Sequence, residues 1–264
     1  MVISYCRVVG KWFAIVSALI FLGGCVNRAT SMLPVPPSAE VPYTRISPLM
    51  TADANDPAWQ HAVAFALVPP LPGDVPAVIG RTTVRLLHRD NTLFVRFECE
   101  DDHIESPYTK RDDPLHRADV AEVFIDFAGD YREYFEVQVS PHGIVFDQRI
   151  RLSAPPTSDS AGVLTDDFRR AHFTAEPAFK LEDMKVASFI DSQADRPFWR
   201  ADLAIPLPAD SIDRRRTIRA NFIRYDYGSG DAPRLHVHNW SATSAGRPHV
   251  SPTRAGYLRL SRKP

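Results

Sequence analysis

Short runs of alternating apolar and polar residues dominate the chain. The alternation is clearest at 93–100, 120–127 and 134–140, where every second residue is apolar. A period of two predicts strands with one buried face and one largely polar face, which suits an antiparallel β-sandwich. Further candidate strands lie near 82–88, 143–150, 171–180, 197–205, 218–227, 235–240 and 256–261. The 23 prolines interrupt every longer helical pattern, so the fold class is expected to be all-β.

Composition narrows the classes of function. The chain has 264 residues and a formal net charge of -1, so it lacks the basic field that holds nucleic acid. Its 44% hydrophobic residues suit a folded domain, and 3 cysteines cannot form a disulfide framework.

The N-terminus has the organisation of a secretion signal. Arg7 and Lys11 precede an apolar run of 11 residues at 12–22, which is shorter than a helix that spans a bilayer of about 30 Å. The run ends in Leu-Gly-Gly-Cys at 22–25, which resembles the bacterial lipobox. We therefore predict a lipoprotein signal peptide at 1–24 and lipidation of Cys25; the alternative is an ordinary secretory signal with an incidental cysteine.

Residues 25–50 are expected to form an extended tether, since this proline-rich segment has no hydrophobic periodicity. Val26 follows the cysteine where inner-membrane lipoproteins often carry Asp, which favours the outer membrane of a Gram-negative bacterium. The sandwich domain is predicted to occupy 51–264.

The connection between two predicted strands, 101–119, is long and acidic. If its flanking strands are neighbours, Asp101, Asp102 and Asp119 gather at one end of the sheet, where carboxylate oxygens could bind Ca²⁺. The alternative is a solvated acidic rim balanced by nearby basic residues.

Several stretches, in order along the chain, resemble the family 9 carbohydrate-binding modules. They are DANDPAW at 53–59, VRLLHRDNTLFVRFECEDD at 84–102, RDDPLHRADVAEVFID at 111–126, RANFIR at 219–224, Trp-Ser at 240–241 and HVSPTRAGYLRL at 249–260. The resemblance implies a β-sandwich that binds sugars without catalysis, often beside a glycoside hydrolase and often with structural calcium.

The resemblance also implies a site. Glu122 matches a glutamate that faces the sugar, and Glu136 stands where a sugar-binding member has a basic residue. Two aromatic rings clamp the sugar in well-known members; here Leu115 or His116 matches the first ring and His249 the second. The expected sugar contacts are His116, Arg117, Glu122, Glu136, Asn221, Arg224, Trp240 and His249.

Other functions stay open at this stage. Glu122 and Glu136 share a strand phase, and a glycosidase needs two carboxylates roughly 5–9 Å apart, so hydrolysis on the same domain is one alternative. A haem-binding or protein-binding envelope domain that has lost sugar binding is another, with Met184 as the domain's methionine. We expect carbohydrate as the ligand, membrane contact through the lipid alone, and a partner hydrolase.

Overall fold

The computed structural model describes residues 34–69, 80–191, 197–209, 211, 216–228, 235–243 and 247–264. The predicted signal peptide and Cys25 lie outside these residues. No helix in the described part of the chain is long and apolar enough to cross a membrane.

Short strands account for most of the regular structure. In chain order they are β1 (Ser38–Val41), β2 (Val63–Ala66), β3 (Thr82–Arg89), β4 (Thr92–Glu100), β5 (Val120–Asp126), β6 (Glu133–Val139), β7 (Val145–Leu152), β8 (Phe173–Glu176), β9 (Lys185–Asp191), β10 (Phe198–Pro206), β11 (Thr217–Tyr227), β12 (Leu235–Asn239) and β13 (Gly256–Leu260). The helix α1 (Asp166–His172) precedes β8, and 3₁₀ turns lie at Pro57–His61, Leu115–Arg117, Pro248–Val250 and Pro252–Arg254.

The strands form two sheets. The larger has eight strands in the order β1-β13-β11-β5-β6-β7-β8, with β12 paired to β11, and the smaller has the order β2-β3-β4-β10-β9. All named pairs are antiparallel except β1 with β13. The predicted all-β sandwich is confirmed.

Apolar residues of alternate phase fill the space between the sheets. Val95 and Phe97 of β4 meet Val123 of β5 and Phe222 of β11 in one continuous buried cluster. Phe97 and Phe222 pack edge to face, with ring centroids 6.2 Å apart. The period of two read from the sequence is therefore the period that builds the core.

The larger sheet also carries apolar residues on its outer face. Phe124, Tyr134 and Ile223 form a second buried cluster with Phe168 of α1. Thr165 starts this helix by accepting a hydrogen bond from the Phe168 amide at 3.3 Å. Helix α1 and the neighbouring loops thus cover part of the outer face and leave a concave region beside it.

The structure corrects the C-terminal boundary of the predicted tether. Residues 38–41 form β1, whose Val41 is fully buried in the sandwich core. The Thr44 amide then donates to the His88 carbonyl at 2.9 Å. A four-residue strand paired to a single neighbour is too short to show periodicity, so this part of the fold was predicted as tether.

Candidate functional site

A concave pocket of about 520 Å³ lies on the outer face of the larger sheet. Its floor comes from four adjacent strands, β11, β5, β6 and β7, and its rim from the loops before β5 and β13. The lining residues are Asp112, Pro114, His116, Glu122, Glu136, Gln138, Phe146, Gln148, Tyr225, Tyr227, Leu235 and His249.

Strand register brings the polar residues of the floor together. Glu122 of β5 is directly opposite Gln138 of β6, and Glu136 of β6 is directly opposite Gln148 of β7. Residues opposite each other in an antiparallel pair point to the same face, so two carboxyl groups and two amides share one patch.

The amides fix the position of Glu136. Gln138 Nε2 donates to Glu136 Oε1 at 2.5 Å, and Gln148 Nε2 donates to Glu136 Oε2 at 2.7 Å. Glu122, by contrast, has a buried Oε2 without a hydrogen-bond partner among the described residues. Glu122 therefore keeps an acceptor for a group that enters the pocket.

Burial raises the pKa of Glu122 well above its ordinary value, and the charge of Glu136 raises this pKa further. Burial also raises the pKa of Glu136, against the two amide hydrogen bonds, which lower it. Two adjacent buried carboxyl groups cannot both ionise without large cost, so the pair retains a proton above the ordinary carboxyl range.

Two tyrosines of β11 and Phe146 provide ring surface. Tyr225 is 7% exposed, and burial raises its pKa, as do the nearby Glu122 and Glu136, so its phenol stays neutral. The hydroxyl of Tyr227 donates to the carbonyl of His116 at 2.9 Å. Tyr227 thereby fastens the loop before β5 to the floor of the pocket.

The two histidines of the rim are uncharged at neutral pH. Burial lowers the pKa of His116, and nearby Arg117 lowers it further. Burial, Arg169, His116 and Arg247 lower the pKa of His249 to about 4. Each ring thus presents a neutral face and one ring nitrogen that accepts a hydrogen bond.

Residues 52–262 match the model of the protein family described as "Carbohydrate family 9 binding domain-like". The chain belongs to this family. The match covers most of the chain, in agreement with the resemblance seen in the sequence. No protein of curated function matches the chain.

Solved structures agree on the fold. A putative carbohydrate-binding protein from Bacteroides uniformis is 16% identical, with a TM-score of 0.55, and the alignment covers 86% of this chain and 100% of that one. A family 9 module from Caldicellulosiruptor kristjanssonii in complex with cellotriose is 15% identical, with a TM-score of 0.56 and 86% and 95% coverage. The same module in complex with glucose is 15% identical, with a TM-score of 0.55, and the alignment covers 86% of this chain and 97% of that one. At these identities the likeness establishes the β-sandwich fold alone.

Four of the predicted contacts line the pocket of this family 9 domain: His116, Glu122, Glu136 and His249. Of the two candidates for the first ring position, His116 reaches the pocket, and Leu115 is fully buried in the outer apolar cluster. Arg117 is exposed next to His116 and is not among the lining residues.

The structure contradicts three other predicted contacts. Asn221 is buried, and its amide group bonds the backbone of Ser241 in both directions, at 2.9 and 2.8 Å. Trp240 packs in the sandwich core with its ring stacked 4.8 Å from Phe65. Arg224 is fully buried and donates to Asp101, Asp226 and the Glu100 carbonyl. The side chains of Arg224 and Trp240 point away from the outer face. Their direction depends on how neighbouring strands pair, and the sequence alone does not show this pairing.

Sequence reasoning missed the amides and rings of the floor, which are Gln138, Phe146, Gln148, Tyr225 and Tyr227. Gln138 lies two residues after Glu136 on the same strand, so the alternation places both side chains on one face, and this pattern could have identified Gln138. The positions of the other four residues depend on which strands pair and in what register.

The acidic cluster of the long loop differs from the predicted one. Asp101 and Asp119 lie together with Asp226, with carboxylate oxygens of the three within 4.8 Å of one another. Asp102, the third predicted calcium ligand, is exposed and is not in this group. Asp226 comes from β11, so only strand pairing brings it there.

Arg224 already provides the positive charge at this cluster. Its Nη2 donates to Asp101 Oδ2 at 2.7 Å and to Asp226 Oδ2 at 3.1 Å. Both carboxylate oxygens of Asp119 accept backbone N–H groups, from Tyr227 at 2.8 Å and Glu105 at 2.5 Å. In this arrangement each of the three carboxyl groups accepts at least one hydrogen bond from a donor of the chain itself. The guanidinium of Arg224 therefore lies within the cluster, and Asp119 bonds the loop that carries His116 through the Glu105 amide.

Proposed function

We propose that the chain binds carbohydrate, without catalysis, in the pocket on the outer face of the larger sheet. The observation that carries the proposal is the combination found there: ring surface from Tyr225, Tyr227 and Phe146 beside a fixed set of carboxyl and amide groups. Sugars have apolar C–H faces that pack on rings and hydroxyl groups that bond such polar groups. Family membership and the sugar complexes of the structural neighbour support the same function.

Each polar group has a separate role in this proposal. Glu122 accepts a sugar hydroxyl through its unpartnered Oε2. Gln138 and Gln148 hold Glu136 and keep their amide oxygens for further hydroxyl donors. His116 and His249, which match the clamp positions of well-known members, close the two sides of the pocket with neutral rings.

We also propose the cellular setting predicted from the sequence. Lipidation of Cys25 would anchor the chain to the cell envelope, at the outer membrane. There the domain would hold oligosaccharides for a partner glycoside hydrolase. Palmitate labelling of the wild-type chain and of Cys25→Ala tests the anchor; label that persists in the variant contradicts it.

A glycan array probed with the purified full-length chain tests the binding function. The proposal predicts at least one oligosaccharide that is bound and is recovered unchanged. A blank array across neutral, acidic and amino sugars contradicts it.

Hydrolysis is the second candidate, because Glu122 and Glu136 lie side by side and burial raises the pKa of both, so the pair could supply an acid and a base. Release of new reducing ends from a bound glycan, abolished by Glu122→Gln, would establish hydrolysis in place of simple binding. The haem alternative relies on Met184, which packs against the sandwich core. A Soret band in the absorbance spectrum of the purified protein would revive it.

A further inference from the structure

The pocket has an unbalanced charge. Among the lining residues that the structure describes, three are acidic and none is Lys or Arg. Asp112 has its own cation, since Lys180 Nζ donates to its Oδ1 at 2.8 Å. Glu122 and Glu136 form no ion pair with any described residue, and Glu136 is bonded only to neutral amides. The floor therefore holds an acidic pair that no side chain of the lining neutralises.

One oxygen of this pair also lacks a hydrogen bond. Glu122 is 2% exposed, and its Oε2 is buried at the pocket floor without a partner. A buried polar atom without a partner is costly, and a buried charge without one is costlier still. A retained proton relieves the charge of the pair, whereas a ligand can neutralise the pair and bond the unpartnered oxygen with one donor group.

The surroundings of Glu122 limit which donor suits it. Tyr225 and Tyr227 face it as neutral phenols, and His116 and His249 are neutral rings. The basic side chains around the pocket lie outside the lining: Lys180, which bonds Asp112 and lies 5.9 Å from the Phe146 ring centroid, and, beside the histidines, Arg117, Arg169 and Arg247. The floor itself is the acidic part of the site, and the direct contacts of a sugar are made there.

We propose that the pocket selects a hexosamine with a free, protonated amino group, and that the ammonium donates to Glu122 Oε2. This inference rests on the proposed sugar-binding function and names the class of sugar. An ammonium has three N–H donors and a full charge, so it bonds the unpartnered oxygen and neutralises the acidic pair together. An N-acetyl group has neither the charge nor the spare donors.

Binding of such a sugar releases a proton. Burial and the charge of Glu136 raise the pKa of Glu122 and favour its protonated form, whereas a bound ammonium, which enters with its own charge, favours the carboxylate. The displaced proton passes to the solvent. A sugar with a hydroxyl in place of the amino group leaves the proton where it is.

Titration calorimetry of the full-length chain at pH 7 tests the inference. The probes are two matched sets, glucosamine with glucose and N-acetylglucosamine, and galactosamine with galactose and N-acetylgalactosamine. In one set the amino sugar is expected to bind about tenfold more tightly than its parent sugar, since a charge-assisted hydrogen bond is roughly twice as strong as a neutral one. The N-acetyl sugar gains nothing. Repetition in two buffers of different ionisation enthalpy measures the released proton.

Two variants test whether Glu122 causes the preference for the amino sugar. In Glu122→Gln the ratio of amino-sugar to parent-sugar affinity is expected to fall to about one, and proton release to disappear. The control Glu182→Gln, an exposed carboxylate outside the lining, keeps the ratio. Parent sugars that bind as tightly as amino sugars to the wild-type chain, without proton release, overturn the inference and leave the proposed function standing. Failure of all six sugars on the wild-type chain overturns the inference, and the proposed function falls with it only if the glycan array is blank as well.

Discussion

Arg224 is the residue whose removal tests the structure of the acidic cluster. Its guanidinium is fully buried, and its Nη2 contacts Asp101 and Asp226 while its Nη1 donates to the Glu100 carbonyl at 2.8 Å. Arg224→Met keeps most of the aliphatic volume and leaves the carboxylates buried without their cation. Removal of one partner from a buried ion pair costs about 3–5 kcal/mol.

Arg85→Met is the matched control. Arg85 Nε lies 2.9 Å from Glu98 Oε2, but the two side chains are 35% and 30% exposed. Pairs that contact water contribute about 0–1 kcal/mol, so this variant should be nearly as stable as the wild type.

Urea unfolding followed by tryptophan fluorescence measures both variants, with ΔG from the midpoint and slope. The expected result is a loss of about 3–5 kcal/mol for Arg224→Met and under about 1 kcal/mol for Arg85→Met. Equal losses in the two variants would refute the reasoning, because the buried carboxylates would then not need the guanidinium.

Three further predictions follow from other contacts. Because Arg224 is the cation of the cluster, neither EDTA nor millimolar CaCl₂ should shift the Tm of the wild-type chain; a saturable rise with calcium, absent in Asp119→Asn, would contradict this. Burial raises the pKa of Glu122, so the folded protein binds its proton more tightly than the unfolded chain, and stability falls as pH rises from the unfolded value of 4.5 towards the raised folded pKa. Glu122→Gln should therefore gain stability relative to wild type as pH rises across that window in urea titrations, and a pH-independent difference would count against the shared proton. Val41→Ala should lose about 1–3 kcal/mol, whereas Val35→Ala, whose side chain is 87% exposed, should lose under about 0.5 kcal/mol; equal small losses would place β1 outside the stable fold.

The fold could be predicted because period two survives wherever one strand face is buried. In β4, Leu93, Val95, Phe97 and Cys99 all lie in the core, as their alternation indicates. The same rule gave no signal for β1, whose four residues pair in parallel with β13.

The site could be predicted only in part, for a physical reason. Both faces of the larger sheet bury apolar residues, so Val123 enters the inner cluster and Phe124 the outer one. Hydrophobicity alone then cannot tell which polar residue faces the pocket. Glu122 and Glu136 were found because family resemblance and strand phase agree, while Arg224 was placed at the site by its motif and lies in the acidic cluster.

The most direct test of sugar binding at this pocket is one binding isotherm measured in parallel on three proteins. The strongest glycan from the array is titrated into the wild-type chain, Glu122→Ala and the exposed control Glu182→Ala. Loss of the Glu122 acceptor should weaken binding by about fivefold or more, with no change in the control, since removal of one partner from a buried hydrogen bond costs about 1–3 kcal/mol. Equal affinities in all three proteins would place the sugar elsewhere and contradict the proposed site.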